Sequence, residues 1–290
     1  MRKFLAPIAA STIVLASSAA IATPRVAGSA EAGEASVRLQ PHRAIYDITL
    51  DETKAGTSIG SITGRVVYEL MGNPCEGYAQ NMRFVTETTT TEGQSSMSDL
   101  RTSSWEDAPA RRLRFSSSTY GNDELIEQTQ GTATKRNGST PALAVEVTKP
   151  SRKSTRIGEH VFFPIDHSAT IIRHARTGKR LFAANLYDGS EGGEKYYFTT
   201  SFIGPPSTET ASRRMAKLEN GDKLAEVTSW PVSIAYYKPE ARHIDSVPLY
   251  EMSFRFHENG ITSELMIDHG EYRLKGELKE LKLLEANPCP

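Results

Sequence analysis

The sequence predicts an all-β protein built on one large antiparallel sheet with a single short helix. Along most of the chain, apolar residues recur at every second position, the period of a strand with one buried face. Turn chemistry separates these runs, most clearly Asn137-Gly138, Asn220-Gly221 and Asn259-Gly260, which supply the positive φ that tight turns need. Only one segment carries helical signals.

Ala44, Tyr46, Ile48 and Leu50 form the first alternating run, with Asp47 and Thr49 on its other side. Val66, Tyr68 and Leu70 repeat the pattern, followed by Met82 and Phe84, then Leu113, Phe115 and Ser117. Toward the C-terminus come Val232, Ile234 and Tyr236, then Met252, Phe254 and Phe256. Leu265 and Ile267, and after them Tyr272, Leu274 and Gly276, complete the series. Glu258-Asn259-Gly260 lies between two such runs and reads as a hairpin turn. The whole pattern amounts to about fourteen strands. Residues 86–104 are dense in Ser and Thr, which suits strands with one wet face, the alternative being a loop. A sheet this large must protect its edges, and curling it leaves a concave inner face.

The helical segment starts at Asp166 or Ser168, both good N-caps, and ends before Gly178, a good residue to follow a helix. Ile171, Ile172 and Ala175 make its apolar stripe, and Arg173, His174, Arg176 and Lys179 place positive charge at its C-terminal end.

The N-terminus reads as a targeting segment. Arg2 and Lys3 precede an uncharged stretch from Phe4 to Ala22 that ends in Ala20-Ile21-Ala22, an A-x-A cleavage pattern. The alternative is a retained anchor, since about 20 apolar residues can span a bilayer. The stretch is rich in Ala, Ser and Thr and contains Pro7, so cleavage is favoured. Residues 1–22 are therefore read as a signal peptide, 23–40 as a disordered leader and 41–290 as one β domain. The compartment so implied is the bacterial periplasm. No later stretch is apolar enough to cross a membrane as a helix. Across the chain 34 basic residues face 35 acidic ones, and without Arg2 and Lys3 the balance is 32 to 35. Nucleic acid as main partner is excluded by that balance, which also gives no general attraction to anionic membranes.

Cys75 and Cys289 are the two cysteines. Gly72-Asn73-Pro74-Cys75-Glu76-Gly77 and Asn287-Pro288-Cys289-Pro290 are both turn contexts, so each cysteine can sit at a loop without breaking a ladder. An oxidising compartment favours one bond between them, with two free thiols as the alternative.

Candidate chemistry is sparse. His160, His167 and His174 are spaced by sevens, but His160 precedes the strand-like Val161-Phe162-Phe163. The other two would lie two helical turns, roughly 10.5 Å, apart, too far for one metal ion. Asp188-Gly189-Ser190-Glu191-Gly192-Gly193-Glu194 offers oxygens for calcium but lacks the EF-hand pattern, and reads as a hairpin loop. Ser190, His167 and Asp188 could form a triad, but no G-x-S-x-G elbow accompanies them. Asn137-Gly138-Ser139 matches a glycosylation sequon that a bacterial periplasm gives no reason to use. The strand aromatics read as core, with some available to line a groove for a lipid or a partner segment. No cofactor or metal is expected.

Phe163-Pro164-Ile165-Asp166-His167, followed by Tyr187-Asp188-Gly189-Ser190-Glu191-Gly192-Gly193, resembles the EipB-like family of periplasmic proteins linked to cell-envelope integrity. Trp230-Pro231-Val232, Glu258-Asn259-Gly260 and the two cysteines fit the same pattern, so the likeness runs from about residue 42 to 289. The resemblance implies a β-spiral over residues 41–290, a sheet curled into an incomplete barrel. It also implies a disulfide at the positions of Cys75 and Cys289, and a role in envelope integrity under stress. No catalytic residue comes with it. The expected function is thus non-enzymatic support of the envelope by binding an envelope protein, a lipoprotein or a lipid. The alternatives are an envelope-modifying hydrolase and a periplasmic lipid carrier.

Overall fold

A computed structural model describes residues 37–136, 142–207, 218–240, 246–286 and 288–289. The expected signal peptide, most of the expected leader and the Asn137-Gly138 turn with its sequon lie outside the described residues. The end of that leader is corrected: Val37 and Leu39 are buried in the core, and the Leu39 N–H donates to the Tyr78 hydroxyl at 3.1 Å. Two alternating apolar residues are too short a run to register as a strand pattern.

Among the described residues fourteen strands form one antiparallel sheet. The first eight are β1 His42–Thr53, β2 Ile59–Asn73, β3 Gly77–Thr90, β4 Ser95–Asp107, β5 Arg112–Gly121, β6 Glu124–Arg136, β7 Ala142–Lys149 and β8 Lys153–Ile157. Helix α1 follows at Pro164–Arg176. Then come β9 Leu181–Leu186, a single 3-10 turn at Glu191–Gly193, and β10 Tyr197–Ile203. Helix α2, Gly221–Ala225, precedes β11 Ser229–Tyr237, β12 Tyr250–His257, β13 Thr262–Asp268 and β14 Tyr272–Leu283. The spatial order is β8-β7-β6-β5-β4-β3-β2-β1-β14-β13-β12-β11-β10-β9, so the sheet is not closed. Two meanders, β1–β8 and β9–β14, meet along the β1–β14 ladder, which runs from His42↔Leu283 to Thr53↔Tyr272. Residues 86–104 are strands β3 and β4 with one turn, as their β propensity predicts.

Alternation sets the inner face. Ala44, Tyr46 and Ile48 pair across β2 with Tyr68, Val66 and Gly64, and across β14 with Leu281, Leu278 and Gly276. Together with Leu265 and Leu274 they make one packed cluster. A second lies under α1, where Ile165, Ile171, Ile172 and Ala175 meet Trp230, Val232 and Ile234. A third joins Leu113, Phe115, Leu143 and Val145 to Phe163 and Tyr187.

Helix α1 starts earlier than Asp166 or Ser168. Pro164 occupies the first turn, where its missing N–H costs nothing. The orphan N–H groups of Ile165 and Asp166 donate to the two carboxylate oxygens of Glu106 on β4, at 2.8 and 3.0 Å. The cap is thus supplied by a distant strand. At the other end Gly178 has φ 74°, and the N–H groups of Gly178 and Lys179 donate to the carbonyls of Ala175 and His174. This is a Schellman motif. The expectation of a single helix is also corrected. Asn220-Gly221 is no hairpin turn: Asn220 (φ 62°) starts α2, driven by burial of Leu224 in the packed cluster. Glu258-Asn259-Gly260 does turn β12 into β13, with Gly260 at φ 84°.

Cys75, in the turn between β2 and β3, is bonded to Cys289 in the tail after β14, with a Cα–Cα distance of 5.7 Å. The buried Asn73 side chain accepts the N–H groups of Cys75 and Glu76, each at 2.9 Å, and fixes that turn.

Candidate functional site

Curling brings β2–β5 opposite β12 and β13, and between them lies a cavity of about 500 Å³. Strand parity explains its lining. Val66, Met82 and Phe84 face inward from β2 and β3, and Met252, Leu265 and Ile267 from β12 and β13. These residues form an apolar wall. On β3–β5 the same inward parity presents Gln80, Thr102, Ser104 and Ser117, in the register Gln80↔Ser104 and Met82↔Thr102↔Ser117. Most of the lining, Leu100 and Phe115 included, is therefore apolar, and a strip on β3–β5 carries hydroxyl and amide groups. No Lys or Arg is among the described residues lining the cavity. Gln80 is oriented by the Tyr68 hydroxyl, to which it donates at 2.8 Å. Burial pushes the Tyr68 phenol up to about 12, so it stays protonated at neutral pH.

Asp188, Gly189, Ser190, Tyr197, Tyr250 and His269 also contribute to the lining. The rings of Tyr236 and Tyr250 stack at 4.4 Å, and those of His269 and Tyr272 at 4.8 Å. Burial lowers the His269 pKa against the opposing pull of Asp268, which favours the neutral ring.

The glycine-rich loop after β9 has a structural task. A side chain at Gly189, where φ is 83°, would place its Cβ 2.3 Å from Phe115 Cγ. At Gly193 a Cβ would come within 2.9 Å of Val147. Glycine is needed because the loop backbone lies directly on the β5–β7 wall. The Tyr187 hydroxyl donates to the Gly193 carbonyl at 2.8 Å and closes the loop on itself. This loop fastens the second meander onto the first beside the cavity. It is the hairpin loop between β9 and β10 that the sequence predicts.

The proposed triad is not assembled. Ser190 Oγ donates to the Tyr197 hydroxyl at 3.1 Å, and Asp188 Oδ1 accepts the Ser190 N–H. His167 lies elsewhere, on α1, with Nε2 3.2 Å from Thr199 Oγ1. Since Thr199 Oγ1 donates to the Ala184 carbonyl, it accepts from His167, which fixes the Nε2–H tautomer. Burial holds the His167 pKa near 4, so this is a neutral packing ring against Phe162 and Phe182. His160 and His174 touch the same two aromatics, His160 on Phe162 and His174 on Phe182. The spacing by sevens thus serves an aromatic cluster. Among the described residues no group of three His, Cys, Asp or Glu is placed to hold a metal ion.

Two features escape sequence reasoning. The Glu106 cap joins residues about 60 positions apart, as the Glu106–Asp166 bond does, and nothing local announces it. The polar strip inside the cavity is written in the Ser/Thr alternation of β4 and β5, but which face is concave depends on the curl.

The fold has counterparts in known proteins. A profile of the EipB-like family matches residues 33–285. The cell envelope integrity protein EipB of Brucella abortus is 34% identical over 264 residues, spanning 90% of this chain and 89% of that protein. A crystal structure from Brucella abortus, described as a β-barrel-like protein of a domain of unknown function, superposes with a TM-score of 0.79 at 32% identity. That match covers 86% of this chain and 100% of the other. With a profile spanning all the described strands and a relative 34% identical over about nine tenths of both chains, the chain belongs to the EipB-like family.

Proposed function

We propose that this protein supports cell-envelope integrity from the periplasm without catalysing a reaction, by holding the acyl chain of a lipid or lipoprotein in its concave cavity. The observation that carries this reading is the apolar lining, with one polar strip, of a cavity of about 500 Å³, a size within the usual range for small-molecule sites. An acyl chain packs against Val66, Phe84, Met252 and Leu265, and the ester or amide groups of an amphiphile meet Gln80, Thr102 and Ser117. The relative named for envelope integrity supports the physiological role. The basic, apolar, A-x-A sequence of the N-terminus supports export. The separation of His167 from Ser190 and Asp188 speaks against acyl-transfer chemistry at those residues.

The test is native mass spectrometry of protein purified after export, beside rescue of an envelope-sensitive deletion strain. Wild type is expected to carry a lipid adduct and to rescue. Phe84→Arg, which puts a charge on the apolar wall, is expected to lose both while remaining folded at the temperature of the assay. Ser190→Ala is expected to rescue fully. A wild type free of adduct, together with full rescue by Phe84→Arg, overturns the reading.

A further inference from the structure

We propose that the corner where α1 runs into β9 docks the protein onto the surface of an anionic phospholipid bilayer. From Arg176 through Leu181 six consecutive residues are exposed. Three of them, Arg176, Lys179 and Arg180, are basic. Leu181 pairs across the ladder with Phe202 on β10. Leu181 is 73% exposed and Phe202 56%. Ser201 and Ile203, on either side of Phe202, are buried, so Phe202 points away from the concave face. Pro205 and Pro206 extend the same end of β10 and are also exposed.

Charge selects the occupant. Arg176 is paired with Glu258 at 2.8 Å. Nearby, Arg255 and Glu264 pair with each other. Arg173 is matched by Asp166. Among the described residues Lys179 and Arg180 have no carboxylate partner, and the Arg180 side chain donates to the Ile203 carbonyl at 3.3 Å. The described residues of the corner are therefore net positive, while the chain as a whole carries −1. Near-neutral overall charge gives no long-range pull, so attraction is confined to this spot and falls off within a Debye length. Exposed Leu and Phe flanked by Lys and Arg suit shallow insertion at the headgroup level, with the cations meeting phosphates. A protein partner is the weaker fit. Two large apolar side chains and a proline pair are few for an interface of about 800 Å² per partner.

This proposal concerns the outer face and does not rest on the cavity. Protein purified after export is sedimented with vesicles of phosphatidylglycerol and phosphatidylethanolamine, and separately with phosphatidylcholine alone. Binding to the anionic vesicles only, reduced by added salt, is the expected result. Lys179→Glu with Arg180→Glu is expected to weaken it by at least about tenfold. Leu181→Ser with Phe202→Ser, all exposed positions, is expected to weaken it severalfold without moving the unfolding midpoint. Phe84→Arg is expected to dock as wild type does, which separates this surface from the cavity. Equal binding to both vesicle types, binding to neither, or full binding by both pairs of variants overturns the proposal. Capture of a protein by this corner without vesicle binding counts as binding to neither.

Discussion

The seam where β1 meets β14 and the neighbouring reach of β3–β5 are built on the same antiparallel ladder, yet their inner faces differ. At the seam the inward residues are Ala44, Tyr46, Ile48, Leu274 and Leu278, all buried in one cluster. Three strands away the inward residues include Gln80, Thr102, Ser104 and Ser117, all half-buried. The β3–β4 pairing is nonetheless continuous from Gly77↔Asp107 to Thr89↔Ser95. Backbone hydrogen bonds and side-chain packing are thus separable here: the first shapes the whole sheet, the second only part of it. Where packing stops, the curl leaves a cavity instead of a core.

Breaking the disulfide tests how strongly the seam depends on its fastening. Cys75→Ser and Cys289→Ser are expected to destabilise equally, by up to about 5 kcal/mol on the chain-entropy argument for so long a loop. The double variant is expected to be no worse than either single one. Urea unfolding without reductant measures all three, and unequal single effects would mean that each sulfur acts on its own.

The packed side is next in size. Leu113, fully buried in the β5–β7 cluster, is expected to cost about 4 kcal/mol when changed to Ala, as in other cores that cannot collapse around the gap. Its strand neighbour Ser117, on the same face but in the cavity, is expected to change stability by no more than about 0.5 kcal/mol as Ser117→Ala. Similar losses at the two positions would erase the contrast between packed and open regions.

Glu106 sits between the two regions and sharpens the comparison through pH. Burial pushes its carboxyl from 4.5 up to about 7, against the pull of the Ile165 and Asp166 N–H groups and of Lys135. A carboxyl raised on folding binds its proton more tightly when folded. Its contribution is therefore full below 4.5 and is lost as pH rises through about 7. His167 and His257, held near 4 by burial, act the other way: their contribution is full above 6.5 and is lost as pH falls through about 4. Subtracting Glu106→Gln from wild type at each pH isolates the carboxyl. The difference is expected to decline across that window by a few kcal/mol at most, on the order of 3. A flat difference would mean that the cap, and not the charge, is what Glu106 supplies.

How legible these regions are in the sequence follows the same division. Seam strands announce themselves, because Ala44-Ile45-Tyr46-Asp47-Ile48 and Leu274–Leu278 alternate against a packed interior. The turn at Asn259-Gly260 is equally plain, being set by φ alone. Asn220-Gly221 carries the same dipeptide but starts a helix, because Leu224 finds a buried site that local chemistry does not reveal. Glu106 reads as an ordinary strand charge until the fold brings α1 onto it. The cavity is half legible: its Ser and Thr residues mark a wet face, but only the curl encloses that face. The histidines at spacing seven show the converse, a pattern suggestive of chemistry that proves to be packing around Phe162 and Phe182.

One property of the topology reaches beyond the finished structure. Within each meander a strand meets its neighbour soon after it is made, but His42 must wait for Leu283. Assembly of this sheet therefore has a fast part and a slow part: two local zippers, then a single long-range clasp. Until the last strand arrives, both halves expose the apolar faces that the seam later hides. A chaperone that shields this chain would be needed most during that interval, and truncation before β14 would leave two aggregation-prone sheets rather than a smaller working protein.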